Sequence, residues 1–195
     1  MIFTIVDKYH PSRRHVEREI FDVYKKEYGA VLEHFPDTLV ALLDAGGAPL
    51  CAAGLRFNHE GFFSENYLDK PVDKLLNSQW SSSVNREQIA EITTLAGPRP
   101  GACLVLLRHV TEMLLSRGVT WALFTATDRL RATLRRSGVP TLDLAQAEIY
   151  RVSNPESWGR YYETNPRVAA VHESMLSILN PMQASETCVE VVARA

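Results

Sequence analysis

The stretch Arg-Glu-Gln-Ile-Ala-Glu-Ile-Thr-Thr-Leu-Ala, residues 86–96, sets one carboxylate, Glu91, among Ile89, Ala90, Ile92 and Leu95. β-Branched and apolar residues at this density read as a central strand over 89–95. A carboxylate on such a strand either pairs with a buried arginine for structure or is held as a general base with a raised pKa. Arg86 and Arg56 are its candidate partners. If Arg56 instead grips a substrate carboxylate through both guanidinium nitrogens, Arg56 and Glu91 belong to one site. Strand side chains alternate, so Thr93 shares a face with Glu91, while Thr94 takes the opposite face, where core packing is the plainer role.

Other residue types capable of chemistry are scattered along the chain. Glu65 and Tyr67, in Glu-Asn-Tyr-Leu-Asp, alternate to one side of a segment over 62–68 that reads as a strand or extended edge. They line the same cleft as Glu91 or else face solvent. Trp158, Tyr161 and Tyr162 are suited to stacking on an adenine, or equally to a satellite of the core. Thr125 and Thr127 close a buried strand at its C-terminal end, where open α/β sheets bind ligands; helix capping is their alternative role. His10, His15, His34, His59, His109 and His172 show no ligand spacing and there is no HExxH, so no metal is expected. With no GxSxG elbow and no cysteine beside a histidine, a covalent nucleophile is not expected either.

Composition narrows the classes. A chain of 195 residues, 46% hydrophobic and 23% charged, supports one sizeable core. A formal charge of −2 argues against a nucleic-acid binder. Arg129, Arg131, Arg135 and Arg136 form a local basic cluster, read as a solvated helix face or a docking patch for an acidic carrier protein. No apolar run reaches the roughly 18–20 residues of a membrane span. In MIFTIVDKYHPSRR the charges follow the apolar residues, the reverse of a secretory signal. Cys51, Cys103 and Cys188 have no CxxC spacing and are odd in number, which fits buried thiols in a reducing, cytoplasmic setting.

The elements that would position these residues can be read in order. Residues 12–28 have helical spacing between Ser12 and Gly29. Two apolar runs around Asp44-Ala45-Gly46-Gly47 predict an antiparallel hairpin, strands 38–44 and 49–57. Pro71 opens a short helix through Leu76. After the 89–95 strand, Gly97-Pro98-Arg99-Pro100-Gly101 leads into a helix over 102–117, then a strand over 119–127 and a helix over 128–137. Residues 147–153 read as the last strand, and 158–162 and 167–179 as helical. Residues 1–180 form a single domain and 181–195 a weakly patterned tail. Strand–helix–strand order around a hairpin predicts an α/β fold with a mixed β-sheet and helices on both faces. The order resembles the GNAT (acyl-CoA N-acyltransferase-like) fold.

Six stretches carry a closer resemblance: HPSRRHVE (10–17), YGAVL (28–32), ENYLD-P (65–71), R-x-x-I-x-E-I-x-x-LA (86–96), W-x-x-F-T-A-T (121–127) and WGRYY (158–162). In register over about residues 9–170, they resemble the thermostable hemolysin family. That family looks like a branch of the GNAT-like fold close to acyl-homoserine-lactone synthases, which use S-adenosylmethionine and an acyl thioester and release methylthioadenosine. The synthases' central-strand motif is Glu, an apolar residue, Ser and Arg. Here Glu91-Ile92-Thr93-Thr94 keeps the glutamate and a hydroxyl and replaces the arginine by threonine. Arg56 resembles the arginine that ends the equivalent of the second hairpin strand. Where GNAT enzymes carry Q/R-x-x-G-x-G/A for coenzyme A, residues 97–102 hold two prolines, which remove two pyrophosphate-binding donors.

The resemblance therefore implies a cytoplasmic enzyme acting on a small-molecule substrate. S-adenosylmethionine is its co-substrate, with an acyl, aminoacyl or peptidyl carrier-protein thioester as the other, and coenzyme A is unlikely. Glu91 is the base and Thr93 its neighbour on the strand. Arg56, Glu65, Tyr67, Arg86, Thr94, Thr125, Trp158 and Tyr161 bind substrate. Acyl transfer, lactone closure and cyclopropane amino acid formation all remain open outcomes. A non-catalytic binding module and a membrane-active lytic protein, the latter suggested by the family's name, are the alternatives from other classes.

Overall fold

The computed structural model describes residues 1–80, 83–97 and 101–176. The 181–195 tail lies outside them. Seven strands and four α-helices are found among the described residues, in the order β1 (Ile2–Val6), α1 (Arg13–Tyr28), β2 (Thr38–Leu43), β3 (Pro49–Arg56), α2 (Val72–Gln79), β4 (Ile89–Ala96), α3 (Ala102–Ser116), β5 (Trp121–Ala126), α4 (Asp128–Arg136), β6 (Leu142–Gln146) and β7 (Arg167–His172). The strands form one sheet of spatial order β1-β2-β3-β4-β5-β7-β6. The β4–β5 pair is parallel and every other pair is antiparallel. Period-two alternation divides the core between two faces. Val40, Leu42, Ala53, Leu55, Ala90 and Ile92 pack with α3 and α4. On the other face Leu39, Ala41 and Leu43 pack with α1, and Ile89, Trp121 and Leu123 pack with α2. This is the mixed sheet flanked on both faces that the order of elements predicts.

Five segments differ from the sequence reading. Ile2–Val6 is an edge strand paired with β2, which the N-terminal pattern did not announce. Residues 62–68 form no strand; Phe63–Tyr67 is a 3₁₀ turn, whose opening N–H groups bond to a side chain rather than to a ladder. Residues 147–153 are likewise 3₁₀ around Ile149–Arg151, and the strand lies just upstream, over Leu142–Gln146. Arg167–His172 is a strand inserted between β5 and β6, not a helix, while 158–162 falls in two 3₁₀ turns.

The sheet opens at its middle. Parallel pairing joins Ile89, Ala90 and Glu91 to Trp121, Ala122 and Leu123 and then stops, although β4 runs on to Ala96 and β5 to Ala126. On its other side β4 stays with β3 through a bulge: Ala52 pairs with Ala96 and Gly54 with Thr93, two steps against three. Thr94 takes the extra step with φ of 47°. Opposite it, a Cβ on Gly54 would lie 2.5 Å from Pro36 Cγ and 3.2 Å from Thr94 Oγ1, so the approach of the Pro36 segment requires glycine there.

A β-branched residue in the left-handed region is strained, by an amount on the order of 1–3 kcal/mol. The Thr94 hydroxyl is also buried without a hydrogen-bond partner. Thr94→Gly relieves both, against about 0.5–1 kcal/mol of added chain flexibility. We expect the variant to be more stable by about 1 kcal/mol, read as a higher urea midpoint at unchanged slope. A lower midpoint would mean that threonine packing outweighs the strain.

Candidate functional site

Glu91 is 1% exposed, on the last paired step before β4 leaves β5. Among the described residues its carboxylate meets no arginine. Oε2 accepts the Phe63 N–H at 2.6 Å; Oε1 accepts the Ser64 N–H at 2.9 Å and the Ser64 hydroxyl at 2.6 Å. These are the opening donors of the Phe63–Tyr67 turn, the groups a short helix leaves without internal partners. Ser64 is fully buried, and its oxygen lies 2.8 Å from Thr125 Oγ1. Because Ser64 has one proton and gives it to Glu91, Thr125 donates to Ser64. A directed chain of hydroxyls thus runs from Thr125 on β5 through Ser64 to the carboxylate. Burial raises the pKa of Glu91, while the Ser64 and Phe63 bonds and, most weakly, the Arg56 charge oppose the rise.

The chain of hydroxyls ends in a narrow cleft of about 30 Å³. Its polar floor is Glu91, Thr93, Thr94 and Thr125. Thr94 was expected on the opposite face; the bulge breaks the alternation and brings it beside Thr93. The walls are aromatic: Tyr24, Phe63, Tyr67, Trp158 and Tyr161. Phe63 and Trp158 rings lie 5.5 Å apart, and Trp158 and Tyr161 5.4 Å. The Tyr67 and Tyr162 hydroxyls bond at 2.7 Å. Gly159 seats this wall on the end of α1. A Cβ there would meet Tyr28 O at 2.3 Å, and the Arg160 N–H donates to that same carbonyl at 2.8 Å.

Three expected residues are elsewhere. Arg86 pairs with Glu65 through two bonds, at 2.6 and 2.9 Å, and with Asp73 at 3.1 Å, on a separate outer groove. As part of a 3₁₀ turn, Glu65 and Tyr67 diverge, one to Arg86 and the other to the cleft. Burial raises the pKa of Glu65, but Arg86 and the Val72 N–H overcome it and leave the carboxyl below its ordinary range. Arg56 faces Glu91 across the β3–β4 ladder and, among the described residues, makes no ion pair. Thr127 caps α4, its oxygen accepting the Leu130 N–H. Ser64 was missed: nothing local distinguishes it, and only the Glu91 contact assigns it a role. The Pro98 and Pro100 positions fall outside the described residues. Among the described residues there is no group of three or more His, Cys, Asp or Glu placed to hold a metal, and no helix long and apolar enough to cross a membrane.

The fold is GNAT-like. TofI in an apo form is similar over 92% of this chain and 96% of its own, with 14% identity and a TM-score of 0.60. TofI in a ternary complex with an inhibitor and MTA covers the same shares at 14% identity and a TM-score of 0.57. FeeM, an N-acyl amino acid synthase from uncultured soil microbes, is similar over 89% and 96%, with 14% identity and a TM-score of 0.60. MesI, a CoA-dependent acyl-homoserine lactone synthase, is similar over 97% and 94%, with 14% identity and a TM-score of 0.54. Among the curated proteins nothing matches. The chain belongs to the thermostable hemolysin family, which it matches over residues 6–175.

The raised pKa of Glu91 has a sign that stability measurements can read. The folded protein keeps this proton above the ordinary value of 4.5. Its contribution is therefore complete below that value and is lost as pH climbs through the raised folded value. Glu91→Gln removes the titration. The difference in unfolding free energy between wild type and this variant should change across that window in the direction of a weakening wild type, in urea titrations at a series of pH values. A difference independent of pH would refute the shift.

Proposed function

We propose that this chain is an acyltransferase-like synthase in which Glu91 acts as general base through Ser64 and Thr125. The observation that carries the reading is the hydroxyl chain linking a buried carboxylate to an open aromatic cleft at the parting of β4 and β5. A protonated or attacking amine in the cleft gives its proton to Thr125 Oγ1, Thr125 passes its own to Ser64, and Ser64 passes its own to Glu91. The nitrogen then adds to a thioester carbonyl, the C–S bond breaks, and an amide and a thiol result. Thr93 lies on the floor beside Glu91 and orients the acceptor.

The chemistry of the structural neighbours supports the substrate class. TofI binds MTA, FeeM is an N-acyl amino acid synthase and MesI is a CoA-dependent synthase. We assign S-adenosylmethionine as the small-molecule co-substrate, its adenine against Trp158 and Tyr161. The thioester comes from an acyl or peptidyl carrier protein. Coenzyme A is disfavoured by Pro98 and Pro100 in this sequence, which lack the N–H donors a pyrophosphate needs. The setting is cytoplasmic.

A second reading is favoured by the full occupancy of the Glu91 oxygens: a structural acid, fastening the Phe63–Tyr67 turn in a non-catalytic binding module. Substitution separates the two. Glutamine offers one acceptor oxygen where the turn needs two, so Glu91→Gln should lose about 1–3 kcal/mol of stability under either reading. As a base it should also lose roughly 10²–10⁴ in rate per folded molecule. Thr125→Val cuts the hydroxyl chain and leaves the carboxylate's three bonds in place. We expect it to fold normally and lose much of the same rate, measured as thiol release from an acyl carrier thioester with S-adenosylmethionine present. Full activity in Thr125→Val would defeat the relay.

Ligand binding gives an independent check. Calorimetry should detect S-adenosylmethionine and methylthioadenosine and find acetyl-CoA weak or silent. Micromolar acetyl-CoA binding would overturn the carrier-protein assignment, and silence with every ligand would favour the binding module. Methylthioadenosine release during turnover distinguishes cyclisation chemistry from simple acyl transfer.

A further inference from the structure

On the opposite face of the sheet from Glu91, two cysteines meet. Cys51 on β3 is fully buried, in the core under α3. Cys103, the second residue of α3, is partly exposed. Their sulfurs lie 3.1 Å apart, 52 residues apart in sequence. The space they share is kept open by Gly97, where a Cβ would stand 2.9 Å from each sulfur. About 1 Å of further approach gives the length of a disulfide bond.

We propose that Cys51 and Cys103 are a reversible oxidation site, at which a hydroperoxide joins β3 to the first turn of α3 through a disulfide. This goes beyond the acyltransferase reading and does not rest on it. The two thiols are unequal. Cys51 donates to Cys103; with the Arg129 charge, that bond lowers the Cys103 pKa against the effect of burial, whereas the pairing and burial raise that of Cys51. The position of Cys103 in the opening turn of a helix favours its thiolate in the same sense. Cys103 is therefore the sulfur that a small oxidant reaches and that reacts first. Its thiolate attacks one peroxide oxygen, the O–O bond breaks, and the leaving oxygen takes a proton, giving a sulfenic acid and water or an alcohol. The Cys51 sulfur then attacks the sulfenic sulfur. The S–O bond breaks, the departing hydroxide takes the Cys51 proton as water, and the two electrons accepted by the peroxide have come from the two thiols. In a reducing compartment such a bond is transient, as redox-sensing disulfides are.

The test uses the full-length chain carrying Cys188→Ser, which prevents cross-linking through the third cysteine, and hydrogen peroxide as the oxidant. Peptide mapping should find Cys51 joined to Cys103, and dithiothreitol should reverse it. Closing a 52-residue loop should raise the melting temperature by roughly 5–15 °C. In a Cys51→Ala background, Cys103 should stop at the sulfenic acid and be captured by a dimedone reagent. Oxidation of Cys103 to sulfinic acid with Cys51 still open to alkylation after unfolding would overturn the proposal. So would failure of Cys103 to form a sulfenic acid in the Cys51→Ala background.

Discussion

Burying a carboxylate on a central strand is costly unless every lone pair facing the protein is satisfied, and Glu91 is satisfied by a segment that otherwise has little to hold it. The Phe63–Tyr67 turn spans five residues. Short 3₁₀ runs have poor internal geometry and leave their first N–H groups unpaired. Glu91 accepts two of those N–H groups and one hydroxyl. Acid and turn thus explain each other: neither sits well without its partner. The far side of the same turn is gripped by Arg86, which holds Glu65 and Asp73. Opposite charges five positions apart in sequence therefore fasten one turn from two directions. This is why Arg86 does not pair with Glu91. Its guanidinium is already committed, and a second cation beside Glu91 would compete with the main-chain donors for the same oxygens.

The aromatic wall follows from that attachment. Once the turn is pinned, Phe63 and Tyr67 face the cleft, the rings of Trp158 and Tyr162 close against them, and Tyr161 packs on those two. Tyr161 is buried, which raises its pKa, and its hydroxyl reaches the carbonyl of Thr125 at 3.3 Å. The strand that supplies Thr125 to the hydroxyl chain is thereby tied to the wall as well. Positioning comes from strands and packed rings rather than from a mobile loop, which suits a site that must hold a proton path at hydrogen-bond distances.

How much of this could be read from the chain depends on where each element finds its partners. The hairpin Thr38–Arg56, the helix Arg13–Tyr28 and the strand Ile89–Ala96 announce themselves by local periodicity and turn residues. The 62–68 turn does not, because its internal bonds are few and its opening N–H groups are held by Glu91, 27 and 28 residues away. Val168, Ala169, Ala170 and Val171 are all buried, between β5 on one side and β6 on the other. A strand covered on both faces loses its alternation and resembles a helix in sequence. At the site, Glu91 was conspicuous as an acid among apolar residues. Ser64 was not, since a serine in a polar stretch carries no signal until the fold brings a carboxylate to it. Alternation puts Thr94 on the wrong face because it assumes an unbroken ladder.

That break has a larger consequence. A regular β4 would continue to pair with β5, and the sheet would have no opening. The parallel ladder instead ends at Glu91 and Leu123. Three residues further along β4, Thr94 turns through a left-handed conformation while β3 keeps its hold on both sides of it. Bulges raise local twist and bend the strand that carries them. Bending β4 away from β5 leaves the facing edges of two rigid strands without ladder partners, at the C-terminal end of the parallel pair. Strain at Thr94 and the unpartnered hydroxyl beside it are what a closed sheet would avoid. They persist because β3, Gly54 and the Pro36 segment hold the bulge in place from the other side. The cleft is thus imposed by the half of the sheet that does not line it, and Glu91 stands at the point where the two halves part.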